Sequence, residues 1–223
     1  MTLRLVIFDV DGTLVDSQAH IVASMEGAFA AHALPTPERA AILSIVGLSL
    51  PEAFVRLVPD HADRRDSLVQ AYKDTFADLR RTGHGLSPLY PGAAEVLAVL
   101  AAQPETLLGI ATGKTRRGFD VLVEEHGWTG LFQTVQVADH HPSKPHPSMV
   151  LTCLDELGLS LAQAVMVGDT SYDMAMARAA GVAGLGVGWG YHDGAALMQA
   201  GARRVLPDFA ALVPALSDMR AVA

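Results

Sequence analysis

The sequence predicts an α/β fold: a doubly wound parallel sheet whose first strand is followed by an all-helical insert. Three observations carry this. From about residue 88 onward, short apolar runs alternate with longer helix-periodic segments, the pattern of a parallel sheet covered by helices on both faces. One isolated strand-like run stands far upstream, at Arg4 to Phe8. Between the two lies a stretch with helical spacing and no convincing strand. Composition agrees, since half of the 223 residues are hydrophobic and only 6% aromatic, with Ala, Val and Leu abundant. Such a mixture suits helices packed tightly on a buried sheet.

Taken in order, Arg4 to Phe8 reads as a buried strand that empties into a polar loop at Gly12. Ser17 can cap a helix over about Ala19 to Ala33, which Pro35 and Pro37 end. From there to about Thr82 the chain reads as helical, with Pro51 and Pro59 as punctuation. Within it, Leu68, Ala71, Tyr72, Phe76 and Leu79 recur at helical spacing, and the many charges of Ala62 to Arg81 form a solvated face. The character changes at Gly83-His84-Gly85 and Pro88. A helix at Gly92 to Ala102, a strand at Thr106 to Ala111 and a helix at Thr115 to His126 follow. A weak strand at Thr134 to Val137 leads through a Pro/His-rich loop into a helix at Pro147 to Leu157. Strands at Ala164 to Val167, Gly184 to Val187 and Arg203 to Leu206 then alternate with helices at Tyr172 to Ala180, Gly194 to Ala200 and Phe209 to Leu216. This assigns residues 1–15 and 87–223 to an α/β core and residues 16–86 to a helical insert. Open α/β sheets bind ligands beyond the carboxyl ends of their strands, so an insert rooted after the first strand is placed to cover a site.

The formal charge of −8 argues against wholesale binding of nucleic-acid backbones. No apolar run approaches membrane-spanning length, and Asp9 and Asp11 interrupt the apolar start, so a soluble cytoplasmic protein is expected. The single cysteine, Cys153, excludes an intrachain disulfide and a cysteine-rich zinc site; its setting, Leu-Thr-Cys-Leu, predicts a buried helix position.

The chemistry-bearing residues gather at predicted strand ends. Asp9 and Asp11 are two positions apart, so both carboxylates can address one ligand. Neighbouring carboxylates repel unless a cation or a shared proton relieves them, and Mg²⁺ prefers such oxygen ligands together with substrate phosphate. Gly12 permits close backbone approach and Thr13 adds a polar group. Alone, this segment could equally be an Asp-Gly turn. Gly168-Asp169-Thr170-Ser171-Tyr172-Asp173 brings two further acids to the same sheet edge: Asp169 as a direct ligand, and Asp173 as a helix-start acid one layer behind. Thr112, followed by Gly113 and Lys114 at a helix start, makes a candidate phosphate cradle. The Gly-Lys-Thr run is not a nucleotide-binding P-loop, because only three residues separate Gly109 from Gly113 and Leu108 holds the required glycine position. Lys144, in a loop stiffened by prolines on both sides, could neutralise a phosphate. His140, His141 and His146 lie close in sequence, but without helical or cysteine support they make a poor zinc site.

The ordered set Asp9-Val10-Asp11-Gly12-Thr13, Thr112, Lys144, then Gly168-Asp169 with Asp173 resembles the haloacid dehalogenase superfamily. Leu89-Tyr90-Pro91-Gly92, Lys144-Pro145 and Gly168-Asp169-Thr170 look most like its phosphoglycolate phosphatase branch, and the insert matches that branch's cap. The resemblance implies that Asp9 attacks phosphorus and that Asp11 handles the leaving-group proton. It further implies that Asp9, the Asp11 carbonyl and Asp169 hold Mg²⁺, and that Thr112 and Lys144 bind phosphoryl oxygens. Gly47-Leu48-Ser49 falls where such caps present a specificity loop. Two positions depart from the family: Gly113 stands where Asn is common, and bulky Tyr172 precedes Asp173.

The expected function is Mg²⁺-dependent hydrolysis of a small phosphate ester. A sugar-phosphate mutase or a pyrophosphatase could use the same core, although apolar Leu48 after Gly47 offers poor grip on a second phosphate. Halide displacement needs neither Asp11 nor a metal-binding acid pair. A non-catalytic protein retaining the fold is opposed by the complete acid set. The sequence leaves the ester, and the choice between monomer and homodimer, open.

Overall fold

The computed structural model describes residues 3–82 and 87–220; the change of character expected at Gly83-His84-Gly85 lies outside them. The described residues form one parallel sheet in the order β3-β2-β1-β4-β5-β6. Its strands are β1 Arg4–Phe8, β2 Thr106–Thr112, β3 Thr134–Val137, β4 Ala164–Gly168, β5 Ala183–Val187 and β6 Ala202–Leu206. The insert carries α1 Gln18–Ala31, α2 Arg39–Ser44, α3 Leu50–Leu57 and α4 Arg65–Arg81. Around the sheet stand α5 Ala93–Ala101, α6 Arg116–His126, α7 Ser148–Leu157, α8 Ser171–Ala180, α9 Gly194–Ala200 and α10 Leu212–Arg220.

Strand β1 is wholly buried because it pairs on both sides, Val6 lying between Leu108 and Val165. Its alternate side chains serve opposite layers, as the period of two requires. Val6 and Phe8 join a cluster with Leu97 of α5, Phe119 of α6 and Leu212 of α10, whereas Leu5 and Ile7 meet Met149 and Cys153 of α7 and Met176 of α8. This is the two-faced sheet the alternation predicts.

The insert builds an apolar cluster of its own, with Met25, Phe29, Ile42, Phe54, Leu68 and Tyr72 buried in it. It leaves and rejoins the sheet by two segments that run side by side. Asp16 N donates to Pro88 O at 2.8 Å and Tyr90 N to Leu14 O at 3.0 Å.

Three local expectations are corrected. Ser17 stands at the start of α1, but its hydroxyl makes no capping bond to the helix; it donates to Asp11 Oδ1 at 2.5 Å. Pro51 opens α3 within the first turn instead of ending a segment, because a proline there loses no intrahelical bond. The closing helix starts as a 3₁₀ turn at Phe209–Ala211 and runs on to Arg220, past Leu216. Among the described residues no helix is long and apolar enough to cross a membrane.

Candidate active site

The strand order reverses direction at β1, whose next neighbour on the other side is β4. Such a switch point opens a crevice at the carboxyl edge, where the following loops separate. Asp9 and Asp169 leave the ends of these two strands, and Asp173 sits in the first turn of α8. Ligand atoms of the three acids lie within 4.8 Å of one another, and all three side chains are buried. Asp173 thus lies close to the other two acids, with Lys144 against it.

Each acid is held differently. Asp173 Oδ2 accepts from Thr170 N at 3.1 Å and Thr170 Oγ1 at 2.7 Å, a capping box, while its Oδ1 accepts from Lys144 Nζ at 2.6 Å. Asp169 accepts from Thr13 Oγ1 at 2.8 Å and Tyr191 N at 2.9 Å. Asp9 differs from both. Lys144 Nζ stands 3.0 Å from its Oδ1 as a buried ion pair, while its Oδ2 is buried with no donor. Buried polar atoms are almost always paired, and a bare carboxylate oxygen beside two further buried acids calls for an outside partner. If all groups ionise, three carboxylates face one buried ammonium. A hard divalent cation suits both the leftover negative charge and the all-oxygen donor set.

The electrostatics follow from burial. Desolvation pushes Asp9 up to about 7 against the pull of Lys144, with Asp173 adding to the rise. Burial, then Asp173 and Asp9, hold Asp169 well above the carboxylate range. Burial alone would lower Lys144, but Asp173 and Asp9 outweigh it and keep the ammonium charged.

Asp11 lies at the cleft. Its Oδ1 takes the Ser17 hydroxyl and Lys114 Nζ, the latter at 2.9 Å. Gly12 has φ +85°, and a Cβ there would meet Asp169 Oδ2 at 2.2 Å, so only glycine lets this loop lie on the acid cluster. Thr112 is the buried last residue of β2, and its hydroxyl accepts from Lys114 N at 3.2 Å. The cap of α6 is instead Thr115, which accepts from Gly118 N.

The departures at Gly113 and Tyr172 have a common explanation in the insert. A Cβ on Gly113 would stand 2.6 Å from the Gly47 carbonyl oxygen and 2.7 Å from that of Leu48. The 47–49 loop also donates from Ser49 N to Ser143 Oγ at 2.9 Å, and Gly47 rests against Thr170. This one loop thus touches the segments that carry Thr112, Lys144 and Asp169. Tyr172 reaches the insert too. Its hydroxyl donates to Ser44 O at 2.9 Å and accepts from Arg56 at 2.7 Å, with the guanidinium 5.0 Å from the ring centroid. On the far side, Arg80 of α4 pairs with Glu125 of α6.

Between insert and sheet edge lies a cleft of about 1510 Å³, lined by Asp9, Asp11, Leu48, Tyr72, Thr112 and Lys114 among others. Tyr72 was legible in the sequence only as an apolar helix position. Burial, and then the Asp11 charge, push its phenol above the ordinary range, so it stays a donor. Ser17, Lys114 and Tyr191 were also missed. Lys114 adjoins Gly113, and Tyr191 follows the Gly-Trp-Gly run after β5; position beyond a strand end was the available signal for both. The three histidines do not assemble, since His141 is bonded to Gln136 and Ser148, and the acid trio is the sole metal-capable group among the described residues.

The sequence model of haloacid dehalogenase-like hydrolases matches residues 6–187. This chain belongs to that family. Among its relatives in the haloacid dehalogenase-like family is "Probable phosphatase IndB" of Dickeya dadantii, 38% identical over 95% of this chain and 92% of that one. Another is a phosphoglycolate phosphatase of Agrobacterium fabrum, 33% identical over 96% of this chain and 92% of that one. A crystal structure of a hydrolase from Pseudomonas syringae, 25% identical, superposes with a TM-score of 0.84 over 98% of this chain and 99% of that one.

Proposed function

We propose that this phosphatase hydrolyses a small phosphate monoester with Mg²⁺, through an aspartyl-phosphate on Asp9. The observation that carries the reading is Asp9 itself: buried, at the switch point, facing the cleft, with Oδ1 against the Lys144 ammonium and Oδ2 that no donor occupies. A nucleophile must keep an oxygen free, and a carboxylate that accepted two hydrogen bonds would be a poor one. The phosphatase names of the relatives, phosphoglycolate phosphatases among them, support the substrate class.

In this reading Asp9 forms a bond to phosphorus as the ester P–O bond breaks, and the departing alkoxide takes a proton from Asp11. Water then attacks the acyl-phosphate, returns its proton to Asp11 and releases inorganic phosphate. Lys144 and Thr112 hold the phosphoryl oxygens as charge spreads over them. Asp9, Asp169 and the Asp11 carbonyl would hold Mg²⁺, which when bound neutralises charge on the transferred group; Asp173 holds Lys144 in place. Residues 16–86 act as a cap over the core of 1–15 and 87–223, and its Gly47-Leu48 loop closes the site against water.

The test is phosphate release from p-nitrophenyl phosphate and a panel of metabolite esters, with and without Mg²⁺, for wild type and Asp9→Asn. Magnesium-dependent turnover that Asp9→Asn abolishes without disturbing the fold is expected. Near-normal activity of Asp9→Asn would remove Asp9 as nucleophile.

A further inference from the structure

The histidines on either side of Lys144 have no part in the chemistry above, yet one of them, His141, is bonded at both ring nitrogens. Its Nδ1 lies 2.8 Å from Ser148 Oγ and its Nε2 lies 2.9 Å from Gln136 Oε1. Gln136 Nε2 donates to Thr134 Oγ1 at 3.0 Å, and Thr134 Oγ1 donates to Glu156 Oε2 at 2.5 Å. A carboxylate oxygen only accepts, and that fixes every proton in the row. Thr134 gives its hydroxyl proton to Glu156 and so accepts from the Gln136 amide nitrogen. The Gln136 oxygen is then turned to His141, whose Nε2 must carry the ring proton, and Nδ1 is left to accept from Ser148. Donors and acceptors match along four consecutive bonds. Burial first, and then His140, hold the imidazole below its ordinary 6.5 against a weaker pull from Glu156, which favours the neutral ring the row requires.

The row joins three parts of the core. Thr134 and Gln136 belong to β3, Ser148 and Glu156 lie near the two ends of α7, and His141 stands in the loop between them. That loop has little backbone bonding to hold it. Among the described residues, 141–146 make no backbone hydrogen bond to the sheet or to a helix; His146 N donates to Ser143 O at 3.1 Å, within the loop itself. Besides His141, side chains tie it at Ser143, which accepts from Ser49 N at 2.9 Å, and at His146, whose Nδ1 accepts from Ser148 N at 3.2 Å. Yet the Lys144 ammonium is fully buried, 2.6 Å from Asp173 and 3.0 Å from Asp9, and has little play there. A lysine stem is flexible, so the place of its ammonium depends on where the loop sets its backbone.

We propose that His141 is a positioning residue for Lys144. Bonded to β3 through Gln136 and to α7 through Ser148, it fixes the loop that delivers the ammonium to the phosphoryl site. This rests on the reading of Lys144 as a group that holds phosphoryl oxygens, and adds what holds Lys144. His141 makes no bond to Asp9, Asp169 or Asp173 and does not line the cleft, so it acts through the loop.

The experiment measures kcat/KM for p-nitrophenyl phosphate with Mg²⁺, and the affinity for orthovanadate with Mg²⁺ by calorimetry. The proteins are wild type, His141→Leu, His141→Gln, Lys144→Met and the double variant His141→Leu/Lys144→Met. The first substitution keeps bulk without either bond, and the second keeps a donor toward Gln136. His141→Leu is expected to lower kcat/KM by about 10- to 100-fold, the scale for a group displaced by about 1 Å, and to weaken vanadate binding about as much. His141→Gln should regain part of both losses. In the Lys144→Met background, His141→Leu should change vanadate affinity by less than about twofold, since no ammonium is left to place. Wild-type kcat/KM in folded His141→Leu would overturn the proposal. So would an equal loss of vanadate affinity with and without Lys144, because His141 would then support the fold at large. Should His141→Leu fail to fold, Ser148→Ala cuts the row at its other end and must lower kcat/KM for the proposal to stand. If wild type itself releases no p-nitrophenol, the phosphatase reading fails and takes the proposal with it; if wild type turns over and the His141 variants match it, the proposal alone fails.

Discussion

Gly113 offers a direct test of how the insert meets the sheet edge. In Gly113→Ala the new methyl would lie 2.6 and 2.7 Å from two backbone carbonyl oxygens, where ordinary contact begins at 3.4 Å. Those oxygens must retreat by about 0.7–0.8 Å, and backbone cannot swing aside as a long side chain can. Overpacking of this kind costs about 1–3 kcal/mol. The cheapest relief is for the 47–49 loop to lift away from the core, which stretches the Ser49–Ser143 bond and loosens the contact of Gly47 with Thr170. The strain therefore falls on the closed arrangement and leaves the separate cores of sheet and insert intact. If the closed form is the reactive one, kcat/KM should fall by about 5- to 150-fold, since each 1.36 kcal/mol is a factor of ten. The assay is magnesium-dependent ester hydrolysis, paired with a thermal melt to show that the variant is folded. A folded Gly113→Ala protein with wild-type kcat/KM would refute the reasoning, and a structure of the variant with the loop unmoved would say why.

Three other outcomes follow from the buried charges and the thiol. Lys144→Met leaves the acid trio without its ammonium, so metal-free protein should lose about 3–5 kcal/mol, read from urea melts, and Mg²⁺ should restore more of this than it adds to wild type; an unchanged metal-free melt would contradict the pairing. The Asp9 carboxyl is raised from the ordinary 3.8 to about 7, so the folded state holds more protons than the unfolded one between those values. Its contribution to metal-free stability is thus full below about 4 and lost as pH rises through about 7. Because Mg²⁺ needs the carboxylate form, the rise in melting temperature on adding Mg²⁺ should be larger at pH 8 than at pH 5.5, and an equal rise at both would argue against Asp9 as a ligand. Cys153 is fully buried and its thiol is pushed up to about 12 by burial; it should react with a disulfide reagent only after unfolding, whereas fast labelling of native protein would place it elsewhere.

Much of the fold was legible because each core strand is a short apolar run that must be buried on both faces, and even the four residues of β3, a weak signal in the sequence, form the strand expected there. Asp9, Asp11 and Asp169 were legible for a related reason: an acid directly after such a run has to emerge at a sheet edge. What stayed hidden depends on contacts between distant segments. Ser17 has the residue type and position of a helix cap, but Asp11, brought back by the turn at Gly12, competes for the hydroxyl and takes it. Asp173 carries the ordinary signature of an acid at a helix start, and nothing local shows that Lys144 will lie against its other oxygen. Gly113 and Tyr172 were visible only as departures from a pattern. Their meaning lies in the 44–49 segment, nearly seventy residues and more away, whose carbonyls rest on both. Tyr72 fits a helical apolar stripe, and helical periodicity cannot tell a phenol turned to a cleft from one turned to a core.

The paired segments at the root of the insert carry a consequence for how such a chain can change. Residues 14–16 and 88–90 are hydrogen-bonded to each other like neighbouring strands, so the insert begins and ends at almost the same point in space. The sheet is connected through that ribbon whatever lies beyond it, and lengthening a loop adds only a slowly growing entropic penalty. Any module whose two ends lie a strand spacing apart could be spliced in at this place without moving Asp9 or Asp169. Catalytic apparatus and ligand choice would then be separately exchangeable parts of one chain, joined at a socket of six residues.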